Sequence, residues 1–414
     1  MKKILEIVIL TGFFMAQLTF HAFAVDAQVT DVSVRQRWPW DRLVDIDYVL
    51  SCDPTQRVDI ALTAYNGSER LSIPQEAWSG DFENVGQGIK RIVLDISKTA
   101  YTNEALTRFY VDLTPTERAL YMIVDLTKAA GDADQIEYVY ESDLVTNKWG
   151  TWQRDFVTNG SEVVESLIWT GVTNDIAYKT DKLVLRRVQE GDFLMGTGFP
   201  VTLTKGYYAG VFEITETQWA RVMTGAGGTG VQAKNQLSYN MLRGATNDVP
   251  SVNWHATGTV VSPTAFLGIL RSKTGIATFD LPTEAQWEYA CRAGTTSFFN
   301  DGQSTSKDDT AILDTLAWWT GNSYNAIHPV GEKLPNAWGL YDIHGNVWEW
   351  CLDWHLHPLT GGTDPAGAET GTVRIIRGGG KQQAPESCAS GARANLDPSL
   401  VNSGGGVRVV RNMP

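Results

Sequence analysis

Positive charge, cysteine and long apolar runs are all scarce in this chain. Its 414 residues carry 34 Lys and Arg against 47 Asp and Glu, a net charge of −13. A surface that acidic repels phosphate backbones, and no Lys/Arg cluster offsets it, so nucleic acid is not expected as a partner. The four cysteines, Cys52, Cys291, Cys351 and Cys388, are too few for a disulfide scaffold, although an oxidising compartment would allow a pair. Beyond residue 24 no apolar stretch reaches the roughly 20 residues of a membrane-spanning helix. Histidine is absent between residues 25 and 182.

What is present begins with a secretory pattern. In MKKILEIVILTGFFMAQLTFHAFA, Lys2 and Lys3 precede an apolar run that ends at Phe20, and Ala22-Phe23-Ala24 offers a small-residue cleavage site. The run is too short to anchor the chain in a bilayer. Residues 1–24 are therefore read as a signal peptide. The mature chain is expected to be exported to a periplasmic, cell-envelope or extracellular location, with no transmembrane segment after cleavage. Removing Lys2, Lys3 and Glu6 leaves the mature chain one unit more acidic. Its length exceeds the roughly 250 residues that one hydrophobic core usually holds, which predicts two domains.

Residues 28–114 show period two: VDIDYVLS, VDIALTAY, IKRIVLDI and RFYVDLT alternate apolar with polar positions, as half-buried strands do. Asn66-Gly67 and Asp53-Pro54 supply turns, and the spacing suits an all-β sandwich of immunoglobulin- or fibronectin-like type. Cys52 has no cysteine partner there and is read as a thiol. Residues 115–182 mix strand-like and polar pieces and read as a connecting region.

From about residue 183 glycine and tryptophan rise and long periodic segments become rare. Thr215-Glu216-Thr217-Gln218 is a capping box, and Ser262-Pro263 starts a second helix that stops at Gly275. Thr283-Glu284-Ala285-Gln286 is another capping box. It opens a helix with Trp287 and Cys291 inward, Glu288 and Arg292 as an i,i+4 pair, and Glu284 in an exposed first turn. Near the end, GLYDIHGNVWEWCLDWH crowds Trp348, Trp350 and Trp354 into seven positions among Asp342, Gly345, Asn346 and Glu349. Indoles so close must pack inward or line a pocket, and the oxygen donors with a flexible glycine suit a hard cation. His344, His355 and His357 lack the accompanying acids or cysteines of a zinc site and are read as packing or surface groups.

Taken together, EGDFLMG, VFEITETQWARVM, FDLPTEAQWEYACRAG, NAWGLYDIHGNVWEWCLDW, RIIRGGG and GGVRVVR resemble the formylglycine-generating enzyme, or sulfatase-modifying factor, family. The match runs in order from about residue 183 to the C-terminus and leaves the first 180 residues uncovered. It implies an α+β domain of C-type-lectin-like fold with little regular secondary structure over 183–414. Family members with the founding activity oxidise a cysteine of a nascent sulfatase to formylglycine, using oxygen and a copper ion held by two cysteines. Two thiolates suit soft copper(I), and one holds it weakly. In RGGGKQQAPESCASGARANLDP, Gly380 stands where the family places a serine and Gln383 where it places the first cysteine; only Cys388 remains. Cys388 is thus the one candidate catalytic residue, and copper is not expected. Approach of Cys351 or Cys291 to Cys388 stays open, and the resemblance also implies a Cys291–Cys388 disulfide as a rival fate.

The same resemblance places LYDIHGNVWEW on the family's second calcium loop, with carboxylates from Asp342 and Glu349 and backbone carbonyls from Gly345 and Val347. Calcium is the expected cofactor. The first calcium loop would fall at residues 317–328, which contain no acid, and is left open. Trp348 matches a pocket-lining residue. Arg393 and Arg408 fall at basic positions; Arg393 is a candidate substrate contact, and either is a candidate partner for a buried carboxylate.

Two functions follow. The first is an exported, calcium-stabilised, lectin-like binding or accessory module for a protein or glycan ligand at the cell envelope. The second is an active formylglycine-generating oxidase acting on a cysteine of sulfatases or other partner proteins. The cysteine count favours the module. The iron-dependent sulfoxide synthase branch needs a histidine-rich helical domain, which residues 25–182 do not supply. N-terminal sequencing of the exported protein is expected to start near Val25 or Gln28; a mature chain beginning at Met1 would refute the signal peptide.

Overall fold

The computed structural model describes residues 27–37, 42–54, 56–102, 106–132, 134–141, 143, 149–159, 162–245 and 261–413, so the expected signal peptide lies outside the described residues. Seven strands open the chain: β1 (Gln28–Gln36), β2 (Leu43–Ser51), β3 (Asp59–Asn66), β4 (Glu69–Arg70), β5 (Trp78–Gly80), β6 (Gly88–Asp95) and β7 (Phe109–Thr116). They form two sheets, ordered β1-β2-β6-β5 and β4-β3-β7. The period-two pattern is realised directly: Val44, Ile46, Tyr48 and Leu50 of β2 bury against Ile60, Val111 and Leu113 of the opposite sheet. Asp45 breaks the alternation by being buried, and it is paired by Arg37 (2.6 Å) and Arg35 (3.1 Å).

Residues 115–182 do not behave as the expected connector. β8 (Tyr121–Asp125) and β9 (Ile136–Val139) complete a six-stranded sheet, and β10 (Trp152–Asn159) pairs with β11 (Glu162–Trp169) as a hairpin. β8 pairs with β12 (Lys182–Val188), so the expected boundary at residue 183 falls inside a strand. Burial on both faces removes the alternation that would mark β8 as a half-buried strand. Tyr121, Met122, Ile123 and Val124 are all inaccessible, so β8 is a continuous apolar run without alternation.

The chain continues through β13 (Gly191–Met195), β14 (Phe199–Leu203) and β15 (Tyr207–Gly210), then α1 (Glu216–Met223), α2 (Tyr239–Arg243), α3 (Phe266–Thr274), β16 (Phe279–Asp280), α4 (Glu284–Arg292) and α5 (Thr310–Leu316). β17 (Ala317–Trp318), β18 (His344–Gly345), β19 (Trp348–Trp354), β20 (Gly362–Thr363), β21 (Arg374–Arg377), β22 (Ala394–Leu396), β23 (Gly405–Gly406) and β24 (Val410–Asn412) follow. The result is mostly strand with short helices. Both capping boxes form, with Gln218 N and Gln286 N donating to the Thr215 and Thr283 hydroxyls. α3 begins at Phe266 rather than at Pro263 and stops at Gly275, whose φ of 66° suits glycine.

α4 is not an exposed helix. All nine of its residues are buried, including Glu284 and Glu288. The two carboxylates of a helix with no solvent face require internal partners, and Arg377, Arg393 and the helix's own Arg292 supply them. No described helix is long and apolar enough to cross a membrane.

The two front sheets join the six-stranded sheet through buried ion pairs. Both terminal nitrogens of the Arg411 guanidinium reach Glu83 (2.6 and 2.7 Å), and Arg187 reaches Asp59 (3.0 Å). Because β8 and β9 are built into the C-terminal sheet, a fragment of residues 118–414 is expected to retain a cooperative thermal transition. A fragment of residues 183–414 loses both strands and is expected to give none by circular dichroism. Equal melting temperatures for the two fragments would contradict this boundary.

Candidate functional site

The loop before β19 is seated by Asn336, whose side-chain oxygen accepts from Trp338 N (3.0 Å) and Leu340 N (3.1 Å) while its nitrogen donates to Ala290 O (2.7 Å). Three residues then take left-handed conformations: Asp342 (φ 53°), Gly345 (φ 77°) and Asn346 (φ 51°). Gly345 is required for space as well, since a Cβ there would lie 2.3 Å from the Trp318 carbonyl oxygen. Asn346 locks the turn: its N–H donates to Trp318 O (2.7 Å), its side-chain oxygen accepts from His328 N (3.0 Å), and its side-chain nitrogen donates to Glu213 (2.7 Å). Val347 N also donates to Glu213, at 3.2 Å.

Glu349 is held differently from expectation. Its carboxylate receives Arg408 Nε (3.0 and 3.1 Å), Arg408 Nη2 (2.8 Å) and Trp287 Nε1 (2.6 Å). Arg408 spends its remaining donors on the carbonyls of Gly210 (2.8 Å), Val211 (2.9 Å) and Tyr341 (2.8 Å). A guanidinium surrounded by one carboxylate and three carbonyls is an internal cation in an oxygen shell. Burial works against its charge, and Glu349 outweighs that and holds the Arg408 pKa above its ordinary value.

The calcium ligands expected from sequence therefore separate. Glu349 does not fit the role, because N–H donors already saturate its oxygens. Asp342 does fit: Oδ2 accepts from Gly331 N (2.5 Å), while Oδ1 is buried without a hydrogen-bond partner. Gly345 and Val347 lie in the same tight turn. Burial raises the Asp342 pKa to about 6. Burial first, then the neighbouring Asp342 and Glu349 charges, push Glu213 well above its ordinary range. Three buried carboxyl groups thus share the Arg408 guanidinium, with the half-buried Lys179 ammonium also acting on Asp342. Residues 317–328 contribute no acid, and Trp318 stacks on His328 instead, with centroids 3.7 Å apart.

The copper-thiolate arrangement does not fit these residues. Cys388 is fully buried in an apolar cluster with Phe299, Leu313, Leu316 and Ala317, and burial pushes its pKa to about 12. The other thiols are free too, so the Cys291–Cys388 disulfide does not form. Cys291 lies 3.9 Å from His344 Nε2. That imidazole is neutral, since burial lowers its pKa to about 4; its Nδ1 donates to Cys388 O (2.6 Å) and its Nε2 accepts from Asn300 N (3.2 Å). His344 thereby fixes the backbone of the Cys388 segment. Gln383 N bonds Gly380 O (2.8 Å), and Gln383 O accepts from Thr320 N (3.1 Å), closing the turn where the family has its first cysteine.

Arg393 proves to be a buried-carboxylate partner rather than a free substrate contact: it donates to both oxygens of Glu284 (2.9 and 2.6 Å) and to Leu356 O (2.9 Å). Trp348 is buried, with its ring edge beside two glycines; a Cβ on Gly380 or Gly404 would sit 3.5 or 3.7 Å from its Cδ1. His355 and His357 stack with centroids 6.4 Å apart, and no group of three metal-binding side chains occurs among the described residues. Glu213 and Arg377 were missed in the sequence. The available signal was a charge embedded in an apolar strand, as in VFEIT, or closing one, as in RIIR, which marks a buried ion rather than a solvated one.

Residues 176–413 match the family model described as sulfatase-modifying factor enzyme 1-like domain. The chain is 27% identical over 243 residues to "Chaperone protein LppX" of Paenibacillus barcinonensis, covering 51% of this chain and 82% of that protein. It is 37% identical over 119 residues to the formylglycine-generating enzyme of Thermomonospora curvata, covering 24% of this chain and only 37% of that enzyme. Among solved structures, Treponema denticola variable protein 1 aligns with a TM-score of 0.43 at 24% identity, over 63% of this chain and 99% of that one.

Removing one partner of a buried ion pair leaves the other charge uncompensated, at a cost of about 3–5 kcal/mol. Glu349→Ala is expected to cost that much, because Glu349 is the one carboxylate hydrogen-bonded to Arg408 among the described residues. Glu284→Ala is expected to cost about 2–3 kcal/mol, less because Arg377 keeps Glu288, yet well above the tenths expected at an exposed helix end. Urea unfolding midpoints test both; a Glu284→Ala cost below about 1 kcal/mol would refute its burial.

Proposed function

The chain belongs to the sulfatase-modifying factor enzyme 1-like family through residues 176–413, and on that premise we propose that it is an exported, noncatalytic binding or accessory module for a protein partner. One observation carries the reading: Cys388 is a single, protonated thiol sealed in an apolar cluster, and Gln383 stands where the family's first cysteine is expected. Copper(I) exchange and oxygen chemistry at sulfur need a thiolate pair that solvent and substrate can reach. The relative named as a chaperone protein, with most of its length covered, supports an accessory role over an enzymatic one. On this reading the C-terminal domain has a C-type-lectin-like fold, and the front sheets are an immunoglobulin-like spacer or docking domain.

Calcium remains part of the proposal with a revised ligand set. Asp342 Oδ1 and the Gly345 and Val347 carbonyls would hold the ion, while Glu349 holds Arg408. The ion would neutralise buried carboxylate charge and tie the left-handed turn; it would carry no chemistry.

Mass spectrometry of a sulfatase-type cysteine peptide incubated with the protein, copper and reductant is expected to show no aldehyde. Gln383→Cys restores the pair at the family spacing and is expected to bind copper(I) more tightly than wild type. Turnover by the unmodified protein, abolished by Cys388→Ser, would overturn the noncatalytic reading. Metal analysis is expected to find calcium without copper. Chelator is expected to lower the melting temperature of wild type and of Glu349→Gln but not of Asp342→Asn. A chelator effect absent from wild type would remove calcium from the proposal.

A further inference from the structure

The hairpin of β13 and β14, the end of α4 and the segment after it enclose a cavity of about 660 Å³. None of its lining residues belongs to the Asp342 turn or to residues 380–388. Leu194, Pro200, Thr296 and Thr363 are exposed, so the cavity opens to solvent, while Val201, Tyr289 and Arg292 in its lining are buried. Its volume falls within the roughly 300–1,000 Å³ of small-molecule sites.

α4 contributes Tyr289 and Arg292, three residues apart and therefore neighbours on one face of the helix. Each is only 6% exposed, and each keeps donor capacity. The Tyr289 hydroxyl has no hydrogen-bond partner among the described residues; it sits against Gly191, where a Cβ would come within 2.4 Å of it. Burial, then the Glu190 and Asp192 charges, push its pKa to about 12, so it stays an O–H donor. Arg292 commits Nε (2.8 Å) and Nη2 (2.7 Å) to Glu288, whereas its contacts with Ser297 O and Gly196 O are both 3.4 Å and correspondingly weak.

The charges around α4 do not balance. Arg292, Arg377 and Arg393 pair with only Glu284 and Glu288. Burial raises the neighbouring Asp353 to about 7, and a fourth guanidinium, Arg374, already acts on it. The helix end at the cavity thus combines surplus positive charge with spare donors, which favours an acceptor-rich anion. Asp192 is the one carboxylate in the lining; it is exposed and accepts from Thr202 (2.5 Å), so water screens it. Phe193, Leu194, Pro200 and Val201 make the rest of the wall apolar.

We propose that this cavity binds a small organic monocarboxylate, with its carboxylate on Tyr289 and Arg292 and its apolar body along Leu194, Pro200 and Val201. An inorganic anion would leave that wall uncovered, and an uncharged apolar molecule would leave the donors unpaired. The site goes beyond the family-based reading and rests neither on the state of Cys388 nor on calcium.

The test is isothermal titration of the mature protein with butanoate, hexanoate and octanoate near neutral pH. Affinity is expected to rise roughly three- to fourfold with each added methylene. Octanamide, which matches octanoate in shape but carries no charge, is expected to bind roughly tenfold more weakly. Asp192→Asn and Leu194→Glu change exposed side chains; the first is expected to tighten octanoate about twofold and the second to weaken it about tenfold. Tyr289→Phe keeps the ring and is expected to weaken binding about three- to tenfold. Equal binding of octanoate and octanamide, no gain with chain length, no octanoate binding at about 1 mM, or an affinity unchanged by both Leu194→Glu and Tyr289→Phe would each overturn the proposal. Aldehyde formation by the wild type, by contrast, would overturn the noncatalytic reading and leave this site standing.

Discussion

The C-terminal domain depends on one buried charge, the Arg408 guanidinium, and on where its hydrogen bonds go. It joins the Glu349 carboxylate on β19 to the carbonyls of Gly210 and Val211 after β15 and of Tyr341 at the entry to the left-handed turn. Few domains with such short strands have enough ladder hydrogen bonds to fix their loops, and here a side chain does that work across three segments distant in sequence. Breaking such a network exposes an unpaired charge to a low-dielectric interior, so its parts stand or fall together. Trp287 extends it to α4 through its own bond to Glu349, and Arg377 continues from β21 into the same helix through Glu284 and Glu288.

This arrangement explains why Asp342 and Glu349, which look equivalent in DIHGNVWE, have different roles. Glu349 sits on β19 opposite Gly406 of β23, and Arg408, two residues further on, is within hydrogen-bond reach of its carboxylate. Asp342 sits at the start of the turn, where a backbone N–H satisfies one oxygen and nothing satisfies the other. The neighbouring thiol segment is ordered by neutral groups instead: His344 bonds the Cys388 carbonyl, and Ser323 donates to the Lys381 carbonyl at 2.6 Å. Cys388 thus anchors a packed segment in the way that a small apolar residue would.

The sequence was most legible where local signals coincide with the final environment. The alternation of VDIDYVLS and the two capping boxes specify β2, α1 and α4 because burial on one face and N-cap hydrogen bonds are short-range effects. It was least legible where tertiary contacts decide. β8 has no alternation because both its faces are covered, and Glu284 resembles an exposed first-turn acid until two arginines from 93 and 109 residues away along the chain enclose it. The pairing of Glu349 with Arg408 rather than with an ion was hidden for the same reason: both partners carry oxygen- or nitrogen-rich groups suited to several roles, and only proximity selects one.

Proximity also decides how the front sheets are attached. Arg187 and Arg411 lie on neighbouring positions of β12 and β24 on either side of Tyr208 of β15, with their guanidinium carbons 5.9 and 5.8 Å from its ring. The tyrosine face favours both cations while keeping them apart, and Asp59 and Glu83 of the front sheets neutralise one each. Two separated ion pairs define an orientation, whereas one would permit rotation about it. Because Asp59 begins β3 and Glu83 follows Phe82, whose carbonyl accepts from Ile60 N, the two pairs tie β3 and its neighbouring segment to β12 and β24.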